Sequence, residues 1–133
     1  MPWLIDTHVL AWSALEPEKL GPETRSLLTN PENDLLVATI STAEIACLVL
    51  GGKLFLKMGA REFVAAAIDN LSASTVELSH AVAAEAWRLP EPFHRDPADR
   101  ILVATAREHD MVLVTGDDRI LRYGHVQVLD ARA

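Results

Sequence analysis

Trp3-Leu4-Ile5-Asp6 is a short, unbroken apolar run closed by an acid. Val112-Leu113-Val114-Thr115-Gly116-Asp117, near the other end of the chain, repeats the form. Between them, Leu35-Leu36-Val37-Ala38 leads through Thr39-Ile40-Ser41-Thr42 to Glu44, and Asp99 opens the run Ile101-Leu102-Val103-Ala104. Continuous apolar runs of this length suit strands buried on both faces, and such strands belong to parallel sheets covered by helices. These sheets bind ligands at the carboxyl ends of their strands. Four carboxylates gathered there repel one another, and a hard cation such as Mg²⁺ or Mn²⁺ is the simplest stabilising partner. Asp6, Glu44, Asp99 and Asp117 are therefore the candidate metal ligands and catalytic acids.

Around these runs, strands alternate with helical segments. Strands are expected at 2–6, 34–39, 75–78, 112–115 and 126–129. Helices are expected at 8–14, 22–30, 42–50, 60–71, 80–88 and 97–109, with a helical turn at 118–122. This alternation implies an α/β fold with crossover connections. Gly51-Gly52 is a helix stop, and Pro90 and Pro92 end the segment before them. No linker, repeat or low-complexity tract divides the chain, so residues 1–133 are expected to form one domain. The expected architecture is a three-layer α/β/α sandwich around a mainly parallel central sheet.

Half of the 133 residues are hydrophobic, enough for a core and too many for disorder. No apolar stretch reaches the length of a membrane span. The start, Met-Pro-Trp-Leu-Ile-Asp, lacks the basic region and long apolar core of a signal peptide. The single cysteine, Cys47, rules out an intrachain disulfide and, among Ile45, Ala46, Leu48 and Val49, reads as a small buried hydrophobe. A reducing cytoplasm is the expected location. The net charge of −7 argues against broad non-specific nucleic-acid binding. Two Mg²⁺ ions in an acidic cluster would reduce it to about −3, so the global sign says little about one cleft.

Each acid also has a purely structural role open to it. Ser41-Thr42-Ala43-Glu44 fits a capping box, and Asp6-Thr7 fits a helix cap. Asp96-Pro97-Ala98-Asp99 fits a helix start, with Asp96 as N-cap, Pro97 first in the helix and Asp99 near the positive end of the dipole. Gly116-Asp117-Asp118 fits a turn. Capping does not require all four acids to share one edge of a sheet, whereas metal chemistry does. A pair of Mg²⁺ ions held by carboxylates can activate water, polarise a phosphodiester and stabilise the leaving oxygen. The five histidines lack zinc spacing, and neither a Ser-His-Asp arrangement nor a Gly-rich phosphate loop is present.

Leu4-Ile5-Asp6-Thr7-His8, Ser41-Thr42-Ala43-Glu44-Ile45, Gly52-Lys53-Leu54, His94-Arg95-Asp96-Pro97-Ala98-Asp99-Arg100 and Leu113-Val114-Thr115-Gly116-Asp117 together resemble, in order, the motifs of PIN domains. The chain is most similar to the VapC-like ribonuclease toxins of bacterial toxin–antitoxin pairs. The resemblance spans nearly the whole chain. It implies metal-binding acids at Asp6, Glu44, Asp99 and Asp117, with Thr115 orienting the site through its hydroxyl. Thr7 and Ser41 are expected to help in the same way, with Asp96 and Asp118 as supporting acids. Ala98 departs from the pattern, in which a larger apolar residue is common. The resemblance further implies a homodimer and a cognate antitoxin that packs on the helices near 42–50 and 60–71 and can place a basic side chain in the acidic cleft. Those segments and the link between them carry Leu56 and Phe63 among their apolar residues, more than one sheet face needs.

Basic side chains near the motifs suit a phosphate backbone. Lys53, Lys57, Arg61, Arg95, Arg100, Arg119 and Arg122 qualify, and Arg95 and Arg100, which flank Asp99, lead with Lys53 as RNA-binding candidates. The expected function is a Mg²⁺- or Mn²⁺-dependent endoribonuclease, a growth-inhibiting toxin in which water activated by metal attacks phosphorus in line. No histidine is obviously placed to act as base. One rival is a phosphohydrolase of the haloacid dehalogenase type, but the position two after Asp6 is His8 where that chemistry needs an acid. A receiver domain lacks its acidic pair here. The non-enzymatic rival is a binding module whose acids only cap helices.

Overall fold

The computed structural model describes all 133 residues. Its strands are β1 (Trp3–Ile5), β2 (Leu35–Ala38), β3 (Ser74–Val76), β4 (Val112–Thr115) and β5 (Val128–Asp130). Its helices are α1 (Thr7–Leu15), α2 (Pro22–Thr29), α3 (Thr39–Leu50), α4 (Ala60–Leu71), α5 (His80–Glu85), α6 (Pro97–Glu108) and α7 (Asp118–Leu121). A 3₁₀ turn at Pro17–Lys19, absent from the sequence expectation, connects α1 to α2.

The five strands form one sheet in the order β3-β2-β1-β4-β5, with every neighbouring pair parallel. The chain builds outward from β1 to β3, then returns to lay β4 against the other side of β1. The switch point of the sheet therefore lies between β1 and β4, where Trp3 pairs Val112 and Ile5 pairs Val114. Ligand crevices of doubly wound sheets open at such a point.

Period-2 alternation of the strands splits the core into two layers. Ile5, Val37 and Val114 face the side covered by Val9 and Leu10 of α1, Leu27 and Leu28 of α2, Ile45 of α3 and Phe63 and Val64 of α4. Leu4, Ala38 and Leu113 face Val82 of α5, Leu102, Val103 and Ala106 of α6, and Ile120 of α7. The unbroken apolar character of β1, β2 and β4 is thus the signature of burial on both faces. The edge strands carry the polar residues Ser74, Thr75 and Asp130.

Helix boundaries follow local chemistry. Asp96 accepts a hydrogen bond from the Ala98 N–H, and Pro97 opens α6 where its missing N–H costs nothing. Asp110, just beyond α6, takes the left-handed conformation at φ 53°. The segment expected to be helical to residue 88 is helical only to Glu85; Ala86 to Leu89 continue as turns toward Pro90. No helix is long and apolar enough to cross a membrane.

Candidate active site

Asp6 directly follows β1 and is the N-cap of α1. Its Oδ1 accepts from the Thr7 N–H at 2.7 Å, and its Oδ2 accepts from the Thr115 hydroxyl at 2.6 Å. Thr115 ends β4, the neighbour of β1, so the bond crosses the switch point. The same hydroxyl oxygen accepts from the Asp117 N–H at 3.1 Å. A hydroxyl has one proton and two lone pairs, so Thr115 is used as donor to Asp6 and acceptor from Asp117.

Thr7 performs the equivalent service on the other side. Its Oγ1 contacts Glu44 Oε1 and lies 2.8 Å from Ser41 Oγ. Its single proton goes to the carboxylate, and the Ser41 hydroxyl donates back to it. Thr7, Ser41 and Thr115 are fully buried. Two threonines thereby tie Asp6, Glu44 and Asp117 into one hydrogen-bonded frame.

Glu44 reaches this frame from inside α3 rather than from its start. The helix begins at Thr39, earlier than expected, with Ala38 as an N-cap that offers no side chain. Ser41 and Glu44 form no capping box. Positions i and i+3 share a helix face, and here that face points at Thr7.

Asp99 stands in the first turn of α6, 6% exposed. Arg119 holds it from α7, with Nη2 3.4 Å from Asp99 Oδ2 and 3.1 Å from Asp117 Oδ2. Asp117 is the N-cap of α7 and accepts from the Arg119 N–H at 2.8 Å. Burial opposes ionisation of Asp117, but the Arg119 hydrogen bonds and charge prevail and hold it below the usual carboxylate range. Asp99 has the opposite fate. Burial first, then the charges of Asp6, Asp96, Asp117 and Glu44, push it up to about 8. Burial likewise raises Asp6 against the Thr115 hydrogen bond, and raises Glu44 against the Thr7 bond with Asp6 adding to the rise.

His94, to which the sequence assigns no role, belongs to this site. Its Nδ1 accepts from the Asp96 N–H at 3.3 Å, which leaves the proton of the neutral ring on Nε2. Nε2 lies 3.2 Å from Asp99 Oδ2, yet it is buried without an aligned hydrogen-bond partner. Burial, then the Arg119 charge, lowers the His94 pKa. The contact is therefore that of a neutral imidazole with a carboxyl, not an ion pair.

Other candidates disperse. Arg100 is 2% exposed, and its guanidinium donates to the carbonyls of Ala86, Phe93 and His94. It braces the loop before α6 and is removed from the RNA-binding candidates, because a guanidinium spent on buried carbonyls cannot meet a phosphate. Arg95 is exposed, 6.0 Å over the Trp87 ring. Lys53 is exposed and shares a cleft of about 310 Å³ with Thr7, His8 and Trp12, beside the acids. Asp96 caps α6 and adds its charge to Asp99 and Glu44. Asp118 turns away to Arg132 at 2.9 Å and supports no acid of the site. Cys47 is exposed, not buried, because α3 turns Ile45 inward and Cys47 outward.

As the side chains are disposed, no three His, Cys, Asp or Glu groups stand at metal-ligand spacing, since Asp99 and Asp117 are drawn onto Arg119. The donor set still fits a hard divalent cation. It is all carboxylate and hydroxyl oxygen, its acids suppress one another's ionisation, and the one cation among them is a side chain bridging two carboxylates.

A five-stranded parallel sheet between two helical layers, with buried acids at its switch point, is a PIN fold, and the profile of the PIN domain family matches residues 3–126. The chain belongs to that family. It is 34% identical over 122 residues to Ribonuclease VapC22 of Mycobacterium tuberculosis, covering 92% of each chain. Among solved structures, it resembles a chain of VapBC2 from Rickettsia felis bound to a DNA fragment from their promoter, with TM-score 0.67, 15% identity and coverage of 97% and 98% of the two chains. It also resembles a chain of a toxin–antitoxin complex from Klebsiella pneumoniae, with TM-score 0.65, 18% identity and 96% coverage of both. These last two likenesses concern the fold.

Proposed function

We propose that residues 1–133 act as one endoribonuclease unit, the toxin of a toxin–antitoxin pair, working in the cytoplasm with Mg²⁺ or Mn²⁺. The observation that carries this reading is geometric: Thr115 and Thr7 tie Asp6, Asp117 and Glu44 together at the switch point of the sheet, and Arg119 bridges Asp117 to Asp99. The crowding of these acids, which pushes Asp99 up to about 8, agrees with a site for a cation. Kinship with Ribonuclease VapC22 supports the RNA substrate, and similarity to chains from toxin–antitoxin complexes supports the antitoxin partner.

Asp6, Glu44, Asp99 and Asp117 would hold the metal. When bound, a divalent cation supplies activation of water and stabilisation of charge on the scissile phosphodiester. Thr115 and Thr7 fix the carboxylates of Asp6 and Glu44, so forming the site asks motion chiefly of Asp99 and Asp117, which Arg119 holds. His94 Nε2 stands 3.2 Å from Asp99 Oδ2 without an aligned hydrogen bond and would donate to that carboxyl where it bears a charge. Arg119 bridges Asp99 and Asp117, and its guanidinium would be available to a phosphate oxygen wherever those carboxylates held a cation instead. Lys53 and Arg95 extend the basic contacts along the backbone.

Incubation of the purified protein with unstructured RNA, with Mg²⁺, with Mn²⁺ and with EDTA, tests the reading. Cleavage with either divalent ion and none with EDTA is expected. Equal cleavage in all three contradicts it.

A further inference from the structure

A second cleft, of about 400 Å³, opens on the outer side of His94 and Arg119, the same two residues that contact Asp99. Its floor is aromatic. The Phe93 and Tyr123 rings lie 4.2 Å apart at 33°, and His125 meets Tyr123 edge-on at 5.1 Å. The rings are held in place. The Tyr123 hydroxyl donates to the Pro90 carbonyl, and the buried Arg100 guanidinium supports Phe93 from 5.9 Å. Arg122 lines the cleft and, in a chain of net charge −7, forms no ion pair and no side-chain hydrogen bond. The volume falls within the range of small-molecule clefts, about 300–1,000 Å³.

We infer that this cleft, lined by Phe93, His94, Arg119, Arg122, Tyr123 and His125, is a subsite for an unpaired base of the RNA next to the scissile phosphate. Tyr123 and Phe93 form the stacking platform, and Arg122 takes the adjoining phosphate. The inference rests on the ribonuclease reading for its ligand. Fixed aromatic faces beside an available cationic group are how proteins grip single-stranded nucleic acid, and every base offers a face to stack. Because His94 and Arg119 belong to both sites, a base held here places its own phosphate at the acids. Tyr123 and Arg122 are positioning residues.

The test uses the full chain in EDTA at low salt with a short single-stranded oligoribonucleotide carrying a fluorescent purine analogue at each position in turn. Binding should quench the analogue at one position. Tyr123→Phe should retain the quenching and Tyr123→Leu should lose it. Arg122→Gln, at an exposed site, should weaken binding about tenfold with an unchanged melting temperature. With metal present, Arg122→Gln and Tyr123→Leu should raise KM about tenfold and leave kcat within about twofold. Wild-type quenching at no position, or an Arg122→Gln protein with unchanged affinity and KM, overturns the subsite. Quenching that follows the expected variants in a protein that cleaves no RNA with any divalent ion keeps the subsite and overturns the nuclease reading.

Discussion

The Thr115 hydroxyl lies 2.6 Å from Asp6 Oδ2, joining the ends of two adjacent parallel strands across the switch point of the sheet. It is buried, and it also receives the Asp117 N–H. One hydroxyl thus sets the position of two acids.

Thr115→Val keeps the shape and removes that hydroxyl. It should cost about 1–3 kcal/mol, because the carboxylate and the N–H lose a buried partner. RNA cleavage should fall about 10–100-fold, as for other groups that orient metal ligands. Thr115→Ser should restore most of both. Chemical denaturation and single-turnover cleavage measure the two effects, and a fully active Thr115→Val protein refutes the role.

Asp99 couples stability to pH. Folded, it holds its proton up to about pH 8; unfolded, it releases it near 3.8. Between these values the folded state binds the extra proton, so metal-free stability falls as pH rises through the window. A tenfold change in a protonation equilibrium corresponds to about 1.4 kcal/mol, so the loss is on the order of a few kcal/mol. Asp99→Asn should flatten this fall and melt higher than the parent at pH 8 without metal. Mg²⁺ should raise the parent's melting temperature more than Na⁺ of equal ionic strength and should raise the Asn variant's less. Parallel pH profiles for the two proteins contradict this assignment.

Arg119 competes with the cation for Asp99 and Asp117. Arg119→Gln should tighten Mn²⁺ binding several-fold in calorimetry, because two carboxylates lose a rival positive charge. Cleavage at saturating metal should still fall, since a phosphate contact is lost. Weaker Mn²⁺ binding in the variant contradicts the competition.

Much of this is legible in the sequence. The apolar runs at β1, β2 and β4 are continuous because both sheet faces are covered, and the acids beyond them mark the strand ends. Helix starts are harder to read. Ser41 and Glu44 have capping-box spacing, but i and i+3 also share a helix face, and Thr7 claims that face from a distant part of the chain. Arg100 resembles a surface charge because its partners are main-chain carbonyls, which have no sequence signature. His94 is visible there only as a member of a motif segment, and Arg119 only as one of several basic side chains near the motifs. Each acts through a fold-back, His94 onto Asp96 and Arg119 onto Asp117, two residues away.

The apolar surface sorts into core and face. Phe63 is 6% exposed, so Phe63→Asp should unfold the protein by burying a charge. Phe55 is 86% exposed and lines a groove of about 590 Å³ with Leu15, Leu56, Met58 and Phe63. We propose that an amphipathic antitoxin helix docks in this groove and that the exposed Leu50 at the end of α3 serves a symmetric homodimer. Phe55→Asp should leave the melting temperature nearly unchanged and weaken antitoxin binding at least about tenfold, the loss of a buried aromatic anchor. Sedimentation and calorimetry on this variant decide the matter. Unaltered antitoxin affinity places the partner elsewhere.

Asp6→Asn is the most direct measurement of the central claim, that a shared carboxylate site drives RNA cleavage through a bound divalent ion. Asparagine keeps the bond from Thr7 and the shape of the side chain but removes the charge. The expected result is a folded protein with RNA cleavage abolished at saturating Mg²⁺ and Mn²⁺, and with the metal-dependent rise in melting temperature lost or greatly reduced. Wild-type cleavage by Asp6→Asn under the same conditions would contradict it.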